Sequence, residues 1–459
     1  MSRFNKGYEQ KDNINGSMRS RPYRDDRSRF KNIVIDTEKF NYTSNTTDLT
    51  DEDGNICSPY VLNEACNSFD DMGGEKGLKQ NLIQGIYAYG FDKPSSIQSR
   101  IIPQIIKKNK DILAQAQSGT GKTGAFMIGV LENVDENLKE PQAIILSPTC
   151  ELATQTHVVG RALSHFFVPN INFSLTVGGS DRSTNIRELG GIYQGKTDDN
   201  IAQIIIATPG RLIDLLNEYP HLFQKIKMLV IDECDELLSG TFRDEIKKIL
   251  IELKHNDLQI CLFSATLTNE VTLLSNHILD NPAKILIKKE KITLEGIKQT
   301  FVLVPRVQDK NEKIKEMLGS FQVQQFIIYV NSKNNADSLK EFLKNLGFPV
   351  SIINSSMSKY ERSQQIKDFK LGHIKCLIST DVLSRGIDIQ HLSLVINYDL
   401  PKEDNIQCYV HRIGRTGRFG RKGLSINIIT PNDQNIQNLI SLTFNCKIIP
   451  FKNDFINDI

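Results

Sequence analysis

One run of eight residues has the composition of a phosphate cradle. Ala116–Thr123 reads Ala-Gln-Ser-Gly-Thr-Gly-Lys-Thr. It follows the apolar run Ile112-Leu113-Ala114, a buried strand by its pattern, and precedes a helix-like run from Ala125 to Leu131. A strand, a glycine turn, Gly-Lys-Thr and a helix together point backbone N–H groups at anionic oxygens, and the helix N-terminus adds partial positive charge. Ser118, Gly119, Thr120 and Gly121 supply the turn, Lys122 the reach to the β- and γ-phosphates, and Thr123 the hydroxyl for Mg²⁺. The general pattern has Gly first, where this chain has Ala116. A tight turn with no ligand is the alternative.

Five further groups could complete the chemistry. Asp232-Glu233-Cys234-Asp235 follows the strand-like run Met228–Ile231, at the carboxyl end where open α/β sheets bind ligands. Asp232 suits Mg²⁺, largely through water. Glu233 suits orientation and deprotonation of an attacking water. A solvated acidic strand end is the other reading. Gln98, in Gly90-Phe91-Asp92-Lys93-Pro94-Ser95-Ser96-Ile97-Gln98, offers donor and acceptor side by side for the adenine N6/N7 edge, with Phe91 close to the base. By chemistry alone Gln98 could equally be a surface residue. Thr149, Gly178-Gly179 and Thr208-Pro209-Gly210-Arg211 resemble helix starts and close-approach points that take backbone phosphates, or ordinary caps. Ser264-Ala265-Thr266 carries two hydroxyls whose role composition leaves open. Finally, Arg412, Arg415, Arg418 and Arg421 recur every third residue among glycines. Each Gly costs a helix about 1 kcal/mol, so this is not a solvated amphipathic helix. Arginine forks bind oxyanions, and an arginine inserted from a second domain speeds phosphoryl transfer by roughly 10³–10⁵-fold. A loop that only grips nucleic acid is the alternative.

The elements that must position these groups alternate. Ala143–Leu146, Ile204–Ala207, Met228–Ile231 and Ile260–Phe263 are continuous apolar runs, as strands covered on both faces should be. Helical patterns lie between them, which argues a doubly wound parallel sheet. After a charged connector the pattern restarts, with Phe326–Val330, Cys376–Ile378 and Leu394–Ile396 as strands. This second half has no Gly-x-Gly-Lys-Thr, so two α/β domains are expected to share one nucleotide. The expected boundaries are a disordered N-terminal tail at 1–66, an ATP-binding domain at 67–287, a linker at 288–298 and a C-terminal domain at 299–459. The tail is basic from Arg19 to Lys31 and acidic from Asp48 to Asp53, with few large apolar residues to offset its chain entropy.

Bulk properties agree. A chain of 459 residues exceeds one ordinary domain. Its net charge of +2 neither demands nor excludes nucleic acid. The eight cysteines contain no Cys-x-x-Cys pair, which argues against a zinc-type metal site and for reduced thiols in cytosol or nucleus. No apolar run is long enough to span a membrane.

With these segments in hand, the chain from about Phe69 to its C-terminus resembles the DEAD-box RNA helicases of superfamily 2. Nine segments, from Gly90–Gln98 to His411–Arg418, come in that family's order. Gly85–Phe91, Ile292–Ile297 and Arg418–Gly423 are similar to the translation initiation factor 4A group. The resemblance implies two tandem RecA-like domains. It implies Phe91 and Gln98 at adenine, Asp388 at the ribose, Mg²⁺ at Thr123 and Asp232, and Arg415 and Arg418 as fingers. Thr149, Gly179, Thr208, Arg211, Arg362, Thr380 and Arg385 would line the backbone of single-stranded RNA, without sequence preference. The implied activity is RNA-stimulated ATP hydrolysis, with local unwinding of short duplexes by domain closure, in translation initiation. The alternative is an ATP-gated RNA clamp with slow turnover. A monomer in the cytoplasm or nucleus is expected, with a scaffold protein as a partner that bridges the domains. Departures are Cys150 where arginine is usual, Cys234 for alanine, Asn354-Ser355 for His-Gly, and about four extra residues between Phe69 and Gln98.

Overall fold

The structure is a computed structural model. It describes residues 49–50, 56–58, 61 and 64–455, apart from 109, 118, 197, 254–256, 287–295, 321–324, 355, 381–391, 417–422 and 454. The first sheet is built from β1 (Leu49–Thr50), β2 (Ile56–Cys57), β3 (Ile112–Gln115), β4 (Ala143–Leu146), β5 (Phe173–Thr176), β6 (Ile204–Ala207), β7 (Met228–Asp232), β8 (Gln259–Ser264) and β9 (Ala283–Leu286). Their spatial order is β1-β2-β9-β3-β8-β7-β4-β6-β5. From β9 onward every neighbouring pair is parallel, whereas β1 on β2 and β2 on β9 are antiparallel. Strands β3, β4, β6 and β7 are buried along their whole length, because helices cover both faces.

The second sheet is parallel throughout. It comprises β10 (Ile297–Leu303), β11 (Phe326–Tyr329), β12 (Val350–Ile353), β13 (Cys376–Ser379), β14 (Leu394–Asn397), β15 (Gly423–Ile429) and β16 (Ile449–Pro450), in the order β12-β13-β11-β14-β15-β10-β16. Each sheet has a core on both faces. Phe126 and Phe263 meet edge-on at 5.3 Å on one face of the first, and Leu212, Leu229 and Ile249 fill the other.

Two boundaries differ from expectation. The first sheet takes in residues from the segment expected to be a tail at 1–66. Ile56 pairs with Leu286 and Cys57 with Ile285, Cys57 and Val61 are fully buried, and Glu64 binds Lys107 at 2.7 Å. Few apolar residues are needed there, since the backbone of β9 supplies the partner; among the described residues of this segment, Cys57 and Val61 enter the core. The second sheet begins at Ile297, inside the expected linker 288–298. No helix among the described residues is long and apolar enough to cross a membrane.

Candidate nucleotide and nucleic-acid cleft

The phosphate turn leaves β3 at Gln115 and enters the helix Lys122–Asn133. Gly119 and Gly121 stand at φ +82° and +95°, the left-handed region that side chains with Cβ rarely enter. Gly121 is also pinned. A Cβ there would lie 2.7 Å from Gln98 Nε2. Ser118 lies outside the described residues. Thr120 donates its hydroxyl to the Gln117 carbonyl at 2.7 Å, and Thr123 lies one residue into the helix.

β7 delivers the two carboxylates. Asp232 ends the strand and is buried. Glu233 follows at φ 50°, ψ 52°, a strained conformation for a residue with a Cβ, which is typical of a site that over-determines its geometry. Glu233 Oε1 lies 3.9 Å from Lys122 Nζ. Both Lys122 Nζ and Glu233 Oε2 are enclosed without a hydrogen-bond partner. Leaving such groups unmet costs about 1–3 kcal/mol each or more when charged, so the pocket is built for something that meets them. An anionic phosphate for the ammonium and a water for the carboxylate are the fitting pair. The Asp232 carboxyl is pushed up to about 7, first by burial and then by the adjacent Glu233. A divalent cation held by Asp232 and Thr123 would restore its ionised form, so the donor set fits Mg²⁺.

At the base end Gln98 is 3% exposed and its amide is in use at both ends. Its Oε1 accepts from Ser95 N at 2.8 Å, as half of a capping box, and its Nε2 donates to the Gly121 carbonyl at 3.3 Å. Phe91 packs over Gly124, where a Cβ would meet its ring at 2.9 Å. Phe69 is fully buried and stacked on Phe91 at 6.4 Å, so it faces protein, not an open base site.

The second domain reaches this centre through the helix Cys408–Ile413. His411 Nε2 lies 3.2 Å from Asp235 Oδ2, and with a carboxylate opposite, the imidazole must be the donor. Asp235 also accepts from Ser264 Oγ and Thr266 Oγ1, each at 2.7 Å. Asp235 and His411 carried no role in the sequence reading, and the use of the two hydroxyls stood open. The missing signal was the parallel pairing of β7 with β8, which sets Asp232 beside Phe263 and so aligns the segments that follow. Arg415 is buried, and its Nε donates to the His411 carbonyl at 3.2 Å. Arg412, the first arginine of this run, is structural. It is fully buried, donates to the Asp399 carbonyl at 2.7 Å and to Asn331 Oδ1 at 3.0 Å, and lies over the Tyr329 ring. Arg418, Arg385 and Asp388 lie outside the described residues. The Cys234 thiol is fully buried and pushed far up by that burial, so it is a packing group, not a nucleophile.

Of the expected nucleic-acid residues, Thr149, Gly179, Thr208 and Arg211 follow the ends of β4, β5 and β6, whereas Arg362 and Thr380 belong to the second domain. Thr149 caps the helix Cys150–Leu163 by accepting from Leu152 N at 3.2 Å. Gly179 has φ +80°. Thr208 precedes Pro209 at a helix start, yet its hydroxyl accepts from Gly178 N at 3.3 Å instead of capping that helix. Arg211 is turned back into its own domain, donating to the Ser180 carbonyl at 3.0 Å and to Asn185 Oδ1 at 3.3 Å. Arg362, from the second domain, pairs with Glu151 at 2.7 Å across the cleft. Thr380 follows β13, with its N–H on the Ile353 carbonyl.

Comparison with known proteins agrees with this geometry. Residues 95–274 match the DEAD/DEAH box helicase family, and residues 309–420 match the helicase conserved C-terminal domain. The chain belongs to the DEAD-box helicases, enzymes of the ATP-dependent RNA helicase class. Within that class it is similar to initiation factor 4A. It is 43% identical over 386 residues to the ATP-dependent RNA helicase eIF4A of Kluyveromyces lactis, covering 84% of this chain and 92% of that protein. It is 41% identical over 381 residues to the ATP-dependent RNA helicase FAL1 of Coccidioides immitis, covering 83% and 91%. Among solved structures, Saccharomyces cerevisiae Dbp5 bound to RNA and ADP BeF3 superposes with a TM-score of 0.75 at 35% identity, covering 85% of this chain and 96% of that one. Mss116p bound to single-stranded RNA and AMP-PNP gives 0.73 at 26% identity, covering 84% and 80%.

Proposed function

We propose that this enzyme unwinds short RNA duplexes locally, in translation initiation, by closing its two domains on ATP and single-stranded RNA. The observation that carries the reading is the His411–Asp235 contact. It sets the arginine-bearing segment of one domain against the carboxylates and the phosphate turn of the other.

In this reading Lys122 and the turn at Ser118–Gly121 hold the phosphates, and Glu233 takes the proton of the attacking water. Arg415 and Arg418 meet the charge that develops on the transferred phosphoryl group. Phe91, Gln98 and Asp388 hold the nucleoside. Thr123 and Asp232 hold Mg²⁺, which neutralises phosphate charge when bound. Thr149, Gly179, Thr208, Arg211, Arg362, Thr380 and Arg385 hold the RNA backbone by phosphate and sugar, so binding carries no base preference. Seating on both domains bends the strand. A continuous duplex cannot follow the bend, and a few base pairs open. The protein acts as a monomer in the cytoplasm, with a scaffold protein that brings the domains together.

Glu233→Gln tests the reading. ATP turnover should fall by two orders of magnitude or more, on the order of general-base losses, while RNA binding in the presence of ATP survives. Unchanged turnover would remove Glu233 from its role. Strand separation slower than RNA release under ATP would favour a clamp over a helicase.

A further inference from the structure

We propose that Glu233, Asp235 and His411 form an inhibitory site for a borderline transition-metal dication, Zn²⁺ in the first instance, which staples the two domains together. Each residue offers one ligand atom, and the three atoms lie within 4.8 Å of one another. All three side chains are buried, at 7%, 4% and 1% exposure. Glu233 Oε2 has no hydrogen-bond partner, so one ligand stands ready. The other two sit at the right separation. Ligands on a tetrahedral zinc, with bonds of 2.0–2.1 Å, stand about 3.3 Å apart. His411 Nε2 and Asp235 Oδ2 are 3.2 Å apart. The ion would take the place of the proton between them, with the ring proton moving to Nδ1 so that the imidazole binds through Nε2 as a neutral ligand.

The chemistry separates this site from the Mg²⁺ position. An imidazole with two carboxylates suits zinc, whereas Mg²⁺ prefers oxygen donors and retained water. Neither domain holds the set alone, since His411 comes from the second domain and the two acids from the first. Occupation would fix the cleft closed and take Glu233 away from water. For this catalytic consequence the inference rests on the proposed function; the binding itself does not.

The surroundings predict a reversible regulator, not a structural ion. Metal-bound imidazoles normally donate their other nitrogen to a neighbour, and loss of such a partner costs roughly 10–100-fold in affinity. His411 Nδ1 has no partner. The Lys122 ammonium, 3.9 Å from Glu233 Oε1, opposes a cation as well.

The test uses the full chain without nucleotide, carrying one fluorophore on each domain. Titration with Co²⁺ should give the visible absorption of a four-coordinate nitrogen–oxygen site. Zn²⁺ should displace it, and energy transfer between the fluorophores should rise with occupancy. Asp235→Asn and His411→Gln should lose the absorption and the closure, with affinity lower by at least about tenfold. His411→Cys guards against a merely structural role. It should restore binding and add a sulfur-to-cobalt charge-transfer band. In the wild type, Zn²⁺ should suppress RNA-stimulated ATPase under saturating Mg²⁺, and a chelator should restore it. Equal binding by wild type and His411→Gln would overturn the proposal and assign the metal to the part-exposed thiols of Cys66, Cys150 or Cys446. Binding without closure would overturn it too. A wild type that closes on Zn²⁺ but has no RNA-stimulated ATPase would leave the site standing and remove the proposed function.

Discussion

At the scale of single residues, the cleft is made of groups held in unfavourable states until a ligand relieves them. Lys122 Nζ and Glu233 Oε2 are enclosed without hydrogen bonds, Glu233 has a left-handed backbone, and Asp232 is driven toward its neutral form. Lys122→Ala should therefore abolish measurable binding of an ATP analogue while leaving the melting temperature unchanged or higher. Calorimetry with AMP-PNP and a thermal melt check both halves. Gly124 makes a finer test. Alanine favours a helix interior by about 1 kcal/mol. Its Cβ, however, would press on Gln98 Nε2 and the Phe91 ring, each at 2.9 Å. Gly124→Ala should raise the KM for ATP severalfold without lowering stability. The types and order of these residues were legible in the sequence. Their strain was not, since burial and φ are properties of the assembled chain.

At the scale of elements, several functional side chains are placed by ordinary local devices. Thr149 and Ser95 cap the helices that follow them, and β7 ends on Asp232. The helix Arg182–Glu188 depends on one such device. Asp181 accepts from the N–H and hydroxyl groups of Ser183 and Thr184, and the Thr184 hydroxyl first, then that of Ser183, holds its carboxyl down to about 2. A carboxyl depressed in the folded state stabilises above its unfolded range near 3.8 and loses that contribution as pH falls through its folded value. Asp181→Ala should thus lower the melting temperature at pH 6. The gap to wild type should close progressively as melts are taken from pH 4 toward pH 2. Gly85 fixes a helix pair instead. A Cβ at Gly85 would lie 1.9 Å from the Leu163 carbonyl oxygen, a backbone atom that cannot swing aside. Gly85→Ala should cost about 1–3 kcal/mol in urea denaturation. The strands could be placed from apolar runs alone, but the contact made by Gly85 could not, because nothing local links it to Leu163.

At the scale of the whole molecule, the sheet order divides the labour. The rim above β3, β8 and β7 carries the phosphate turn and acids, and that above β4, β6 and β5 carries Thr149, Gly179 and Thr208. The second domain touches both rims, through His411 on Asp235 and Arg362 on Glu151. Arg362 lies in the first turn and a half of the helix Lys359–Lys370, the wrong end of the dipole for a cation, so it needs an anion beside it. Glu151 supplies one in this structure, and an RNA phosphate would supply another. Glu151→Gln should therefore lower the closed fraction seen by inter-domain energy transfer with AMP-PNP and raise the RNA concentration for half-maximal ATPase. The charge reversal Glu151→Arg with Arg362→Glu should recover closure but not RNA affinity. Closure unaffected by Glu151→Gln would show that the ion pair carries no load.

The sequence by itself determined the class of fold and named candidates for the site. Glycines that permit a phosphate turn, carboxylates after a buried strand, and continuous apolar runs are local requirements, written where they act. It misjudged the start of the first sheet, since β2 joins through backbone hydrogen bonds that leave little trace in side-chain composition. Only the tertiary structure decided which arginine is structural, that Phe69 is sealed beneath Phe91, and that His411 meets Asp235. Those outcomes depend on contacts between residues far apart along the chain. Their geometry is set by strand pairing and by the seating of one domain on the other, and no window of sequence contains both partners.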